Sequence, residues 1–278
     1  MTMFLRRTLG LIAALAGCVT PGHAECTREG LLAAANSYLA AQTSGSIDGL
    51  KLSATNFTYQ LNNKKADIKT GMLVQPLKID LNRSTADTVA CASYTMLISS
   101  TGPKPYVIGT QIRHADNDTS TISMIDTIAA TTGALFFNAK QTLSYIQKEN
   151  WGTLDVSQRS NRTELKRVGD AYLDMWTVAT AADSIPWGTD CERVEGSALT
   201  KPCGASLPRG GSAKANGDRR YVIDETIGSV DVLYTNIMTL ARSEPKDDKG
   251  AVPSLRAFAY RSAFYSSELL PSALALSE

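Results

Sequence analysis

Of the two histidines in this sequence, His114 is the one placed for acid–base chemistry. In the segment Tyr106-Val-Ile-Gly-Thr-Gln-Ile-Arg-His114, strand alternation puts Tyr106, Ile108, Thr110, Ile112 and His114 on one face. That face is apolar. A histidine at its end could stand at a pocket mouth and move protons near neutral pH, or be held structurally by a backbone group. Asp126 follows the same logic, because Ile122, Met124, Asp126 and Ile128 share a face and a regular strand would point Asp126 inward. A buried carboxylate needs a partner or takes a raised pKa. A hairpin centred on Asp118 would pair His114 with Ile122 and Thr110 with Asp126. The two groups would then lie about 13 Å apart at about 3.3 Å per residue, too far for a direct dyad. A structural Asp126 would instead bond Thr110 or a tyrosine. Asp80, between Ile79 and Leu81, is the third candidate, and alternation leaves its face open.

Two functional classes fit these residues. The first is cofactor-free isomerase, dehydratase or cyclase chemistry on a small-molecule ligand, with His114 as acid/base and Asp80 or Asp126 in support; such reactions need a shaped apolar pocket and one or two proton-transfer groups. The second is a non-catalytic secreted protein that binds a ligand or a host surface. It requires a sealed core around His114 and an exposed apolar patch.

Other clusters are less specific. Asp190, Glu192, Arg193 and Glu195 beside Trp187 and Cys191 make either a polar-ligand site or a turn held by ion pairs. Asp116-Asn-Asp118 lacks the glycine and distal glutamate of a calcium loop. The 209–214 segment lacks phosphate-loop spacing, and there is no Gly-x-Ser-x-Gly elbow. Without a Cys-x-x-Cys pair no zinc site is expected, and no other metal or cofactor is called for.

The chain opens with a basic pair, Arg6 and Arg7, then a short apolar run over 9–16 and the small residues Gly22-His-Ala24. This is the three-part pattern of a cleaved secretory signal over 1–24. The run is about half the roughly 20 residues of a membrane span, and no later stretch approaches that length. Removing 1–24 takes two of the 28 basic residues and none of the 27 acidic ones, leaving a net charge of −1. That balance argues against nucleic-acid binding, which needs a basic face. Four cysteines remain: Cys26, Cys91, Cys191 and Cys203. In an oxidising compartment they read as two disulfides with three connectivities; Cys191–Cys203 closes the shorter loop, and Cys26–Cys91 follows by elimination. Sequons at Asn56, Asn82, Asn117 and Asn161 agree with secretion.

The remaining residues read as two halves with a similar order of elements, 25–150 and 151–233. Helical stripes fall at 27–42, 138–149 and from Asn161 onward. Strand patterns fall at 57–61, 77–82, 87–99, 105–114, 121–130 and 220–233. A helix followed by antiparallel strands, twice over, predicts an α+β fold with helices on curved sheets. The last stretch, 234–278, shows no sustained period and reads as a poorly ordered tail.

The segments Tyr106-Val-Ile-Gly-Thr-Gln-Ile-Arg-His-Ala-Asp-Asn-Asp118, Glu149-Asn-Trp-Gly152 and Pro186-Trp-Gly-Thr-Asp-Cys-Glu-Arg-Val-Glu-Gly196 resemble a family of secreted fungal proteins that carries a domain of unknown function. The resemblance runs from about Cys26 to Leu233. In architecture the halves look like the cone-shaped SnoaL-like fold of polyketide cyclases and scytalone dehydratase, a likeness that does not give function. Two departures stand out. The family pattern has a histidine where this chain has Leu81, and it continues beyond Leu233 with further strands where this chain turns to unrelated sequence. Such a join would leave the second domain short of its final strands. The signal pattern predicts a mature chain starting at Glu25, and N-terminal sequencing of secreted material checks it; a start at Met1 would refute it.

Overall fold

The computed structural model describes residues 26–115, 118–188 and 191–234, and the backbone of 237–243 and 255–261. The signal segment, Glu25, Asn117, Asp190 and the rest of the tail lie outside the described residues.

Two α+β units follow one another. The first comprises α1 (Arg28–Ser44), the hairpin β1 (Thr58–Leu61) and β2 (Lys64–Lys65), and the meander β3 (Leu81–Asp87), β4 (Ala92–Ser99), β5 (Tyr106–His114) and β6 (Ile122–Thr131). After a linking helix, α2 (Ala139–Ile146), the pattern repeats. The second unit has α3 (Arg162–Asp174), the hairpin β7 (Arg193–Glu195) and β8 (Ala198–Thr200), and the meander β9 (Arg220–Asp224), β10 (Ser229–Tyr234), β11 (Ile237–Ser243) and β12 (Leu255–Arg261). The sheets have corresponding orders, β2-β1-β6-β5-β4-β3 and β8-β7-β12-β11-β10-β9. In each, the last meander strand lies parallel to the first hairpin strand.

The helices begin where the sequence signals them. Thr27 caps α1 by accepting the Gly30 N–H, and Asn161 caps α3 by accepting the Glu164 N–H. Each helix covers one face of its sheet. Tyr38 and Ala41 of α1 pack with Leu97, Ile108, Ile112 and Ile125; Leu165, Val168 and Tyr172 of α3 pack with Ile223, Val230 and Val232. The other faces of the two sheets meet. Tyr94, Met96, Val107 and Ile128 of the first sheet share a core with Val194, Val222 and Leu233 of the second, closed at one end by Ala139 and Ile146 of α2.

Three sequence expectations are corrected. The break between the third and fourth strands falls at 88–91, because the Asp87 side chain accepts the N–H groups of Val89 and Ala90 and makes the turn itself. The stretch 220–233 is two strands rather than one, with Asp224 accepting the Thr226 N–H at the turn. The expected departure after Leu233 does not hold for 237–243 and 255–261. β10 is buried on both faces and needs a ladder partner on each side; β11 supplies one, and β12 bridges β11 to β7.

The units are joined by a reciprocal clasp. Asp87, ending β3, accepts the Ile223 N–H of β9 and pairs with Arg162 at the start of α3 at 2.6 Å. Asp224, ending β9, accepts the Ala86 N–H of β3 and pairs with Arg28 at the start of α1 at 2.5 Å. Equivalent residues of the two units thus exchange equivalent bonds, the self-complementary pattern of a two-fold dimer interface, here within one chain. The turns after the two aspartates also match: Cys91 and Gly228 both take left-handed backbone conformations.

Both expected disulfides are formed, Cys26–Cys91 and Cys191–Cys203, with Cα–Cα distances of 5.3 and 5.2 Å. They span 65 and 12 residues. By loop-closure entropy they are worth about 4 and about 3 kcal/mol. The first ties the start of α1 to the turn after β3, beside one half of the clasp.

The clasp orders its own variants. Asp87→Ala and Asp224→Ala each leave a buried backbone N–H and an arginine without their acceptor, so each should cost about 2–4 kcal/mol. Arg28→Ala and Arg162→Ala leave the buried carboxylate its backbone donors but strip its cation, and should cost less, about 2 kcal/mol. Urea midpoints at constant m-value measure the order.

Candidate functional site

The three sequence-derived candidates do not converge. His114 sits at the end of β5 on the α1 face, 8% exposed, with Nδ1 3.0 Å from the Thr121 carbonyl. As a neutral ring it donates from Nδ1, and burial holds its pKa below the ordinary value. Asp80 precedes β3 at the opposite end of the sheet. Its carboxylate accepts the Ser100 N–H and hydroxyl, both at 2.7 Å, which lowers its pKa and ties two chain segments.

Asp126 lies on the other face of the sheet from His114. The β5–β6 ladder pairs His114 with Ile122 as expected, but a bulge at Ser123 makes Met124 the partner of Arg113. From there on the register is displaced by one, so Asp126 pairs with Gln111 and Thr127 takes its place opposite Thr110. One inserted residue turns every later side chain of the strand over. Asp126 therefore points into the space between the sheets, while Thr127 and Thr110 bond at 3.0 Å and Thr110 bonds the Tyr38 hydroxyl at 2.7 Å under α1.

Between the sheets Asp126 joins a buried polar cluster that sequence reading missed. Arg220 of β9 donates from Nε to Asp126 at 2.5 Å and from Nη2 to Asn63 at 2.6 Å. Gln111 donates to Asp231 of β10 at 2.6 Å and to the Arg220 carbonyl at 2.7 Å, and accepts from Arg113 at 2.7 Å. Arg113 also donates to the Tyr221 carbonyl at 3.1 Å. The signal available in the sequence was the polar set Gln111, Arg113 and Asp231 interrupting otherwise apolar strands. Burial raises the pKa of both carboxyls. Arg220 and Arg113 oppose this at Asp126; at Asp231 the shift is larger, with Gln111 and Arg113 opposing it. The cluster places proton-holding groups in the seam between the two units.

The quoted family-like segments are structural where they are described. Arg83 pairs with Glu149 at 2.6 Å and lies over the Trp151 ring at 4.2 Å, and the Trp151 indole donates to the same glutamate at 2.8 Å. Trp187 donates to the Ala182 carbonyl at 3.0 Å and packs against Gly204, where an added Cβ would sit 3.0 Å from the indole, so the ring would have to give by a few tenths of an ångström. Of the acidic cluster beside it, Glu192 pairs with Lys201 at 3.6 Å, while Glu195 accepts the Tyr172 hydroxyl at 2.5 Å and pairs with Arg193 at 3.4 Å. Arg193, nearly fully buried, donates to the Cys203 carbonyl. These bonds close the disulfide loop.

Two further features lie at the surface of the described residues. A shallow cleft of 450 Å³ runs along α3, lined by Thr163, Lys166, Arg167, Asp170, Asp174 and Ser184 with an alanine floor. At the other end of the second sheet, Leu135, Phe136 and Leu199 are exposed around the β7–β8 turn. Phe136 has φ of 51°, and its carbonyl accepts the Ser197 N–H at 2.9 Å.

Residues 158–263 match the family model of a domain of unknown function, DUF8021. The match runs from just before α3 through β12, so it covers the second helix-plus-sheet unit and carries past Leu233. No curated protein and no solved structure matches the chain.

The cluster makes a signed pH prediction. Asp231 has a folded-state pKa above its ordinary value, so its contribution to stability is fully present below that ordinary value and is lost as pH rises through the folded one. Asp231→Asn keeps the acceptor for Gln111 and cannot ionise. Melting temperatures should therefore rise over wild type near pH 8 and stay level near pH 4, where the wild-type carboxyl is protonated. Equal melting of the two proteins at both pH values would refute this.

Proposed function

We propose that this chain is a secreted glycoprotein that binds another extracellular protein, rather than a catalyst. Two disulfides are typical of extracellular proteins, and among the described residues no helix is long and apolar enough to cross a membrane. The repeated topology supports a scaffold of two cone-like units of the SnoaL type, the fold that the two halves resemble in architecture.

The observation that carries the reading is the pairing of a sealed His114 with an exposed, strained phenylalanine. The proton-transfer candidates are held at separate places: His114 through Nδ1 by a backbone carbonyl, with its buried Nε2 unpaired, Asp80 by Ser100, and Asp126 through one oxygen by Arg220. Phe136 is 50% exposed and holds a backbone conformation that bulky residues avoid. Strain of this kind costs about 1–3 kcal/mol and persists where the position serves a purpose. Aromatic rings set among aliphatic side chains are the anchors of protein interfaces, and Leu135, next in sequence, and Leu199 of β8 are exposed as well.

Phe136→Gly separates stability from binding. Glycine takes the positive φ freely, so the variant should be as stable as wild type or more stable by up to about 1 kcal/mol. It should lose the partner. A photoreactive phenylalanine analogue at 136 should form one discrete adduct on secretion, competed by wild-type protein and not by Phe136→Gly. Equal competition by both would sink the binding reading, and saturable turnover of a small molecule that is abolished by His114→Ala without loss of stability would replace it with the enzyme reading.

A further inference from the structure

We propose that Asn161 carries an N-linked glycan and that the first sugars of this glycan lie in the cleft along α3. The inference rests on the extracellular reading above.

Asn161 is exposed and its two amide atoms have separate duties. Oδ1 accepts the Glu164 N–H at 2.9 Å and caps α3. Nδ2 is left for solvent, and it is the atom that glycosylation uses. Nδ2 forms a bond to the anomeric carbon of a lipid-diphosphate-linked oligosaccharide and gives one proton to a base of the transferase. The lipid diphosphate departs with the electrons of the broken C–O bond. The product keeps Oδ1 as a carbonyl, so the cap survives modification. In the Asn161-Arg-Thr163 sequon, Arg162 is engaged with Asp87, which holds the first turn in place.

The cleft begins at Thr163, the third residue of this sequon, and follows α3 as far as Asp174. Its volume of 450 Å³ falls within the range of small-ligand sites. Its lining suits a pyranose: hydroxyls from Thr163 and Ser184, carboxylates from Asp170 and Asp174, cations from Lys166 and Arg167, and the methyl groups of Ala171 and Ala181 as an apolar floor. The acids and bases already neutralise one another through Lys166–Asp170 at 2.6 Å and Arg167–Glu164 at 2.6 Å. An uncharged polyhydroxyl ligand matches such a surface better than an ion does. Asn161 does not itself line the cleft, but it stands two residues before Thr163, so a sugar tethered there is held at high effective concentration beside the first turn of α3. The sequons at Asn56 and Asn82 are also exposed, but none of their residues lines this cleft, whereas Thr163 of the Asn161 sequon does.

The test uses the full chain secreted from a glycosylating host. Site occupancy is read by peptide mass spectrometry, and acetylation rates of Lys166, on the cleft, and Lys65, exposed on β2, are compared between wild type and two variants. Asn161→Ser removes the glycan and keeps a capping side chain; Thr163→Ala removes the glycan and keeps Asn161. Enzymatic deglycosylation of folded wild type, which leaves a capping aspartate, serves where a variant is not secreted. We expect an occupied Asn161, a Lys166 acetylated severalfold more slowly in wild type than in either variant or the deglycosylated protein, and an unchanged Lys65. A bare Asn161 with Asn56 or Asn82 occupied overturns this inference alone. Equal Lys166 rates with Asn161 occupied also overturn it. An absence of glycan at Asn56, Asn82 and Asn161 together overturns both the inference and the extracellular reading.

Discussion

The arrangement depends on two buried aspartates that each satisfy the edge of the other unit's sheet. β3 and β9 are outer strands, and an outer strand presents unpaired N–H groups that invite wrong pairing. Here Asp87 and Asp224 take up one N–H each across the junction, and each is neutralised by an arginine at the start of the opposite helix. Such carboxylates are costly to bury without partners, so the geometry holds only when both units are present in the right orientation. The clasp thereby sets how the two sheets face one another, and with that the composition of the core between them.

That core is mixed. Tyr94, Met96, Val107, Ile128, Val222 and Leu233 supply apolar burial, while Gln111, Arg113, Asp126, Arg220 and Asp231 form a hydrogen-bonded network at the same seam. An apolar seam alone tolerates sliding, because dispersion and hydration are nearly indifferent to small displacements. A network with directional bonds at 2.5–2.7 Å does not. The network thus registers one unit against the other, and the linking segment adds a third fixed point through Arg83, Glu149 and Trp151.

The same rigidity bears on function. His114, Asp80 and Asp126 are each bound into the structure at separate places, and what is left exposed for a partner is the surface around the aromatic side chain at the β7–β8 turn. The paired disulfides and the clasp make a stiff support for such surfaces, which favours recognition with little ordering cost.

Much of this was legible in the sequence because it depends on neighbours along the chain. The helix caps at Thr27 and Asn161, the alternation of β5, the repeated order of elements and the closeness of Cys191 to Cys203 are local matters of spacing and side-chain chemistry. The side of the sheet that Asp126 occupies was not local, since a single bulged residue at 123 reversed it and bulges answer to the packing of both faces. The strands beyond Leu233 were hidden for a related reason: their pairing partners are β10 and, far back in the chain, β7, and short strand segments separated by polar sequence show no period of their own. The exchange between Asp87 and Asp224 joins residues more than a hundred positions apart. Composition and spacing determined which elements form; only the tertiary structure decided which faces meet, because burial energy is shared among residues that the chain order keeps apart.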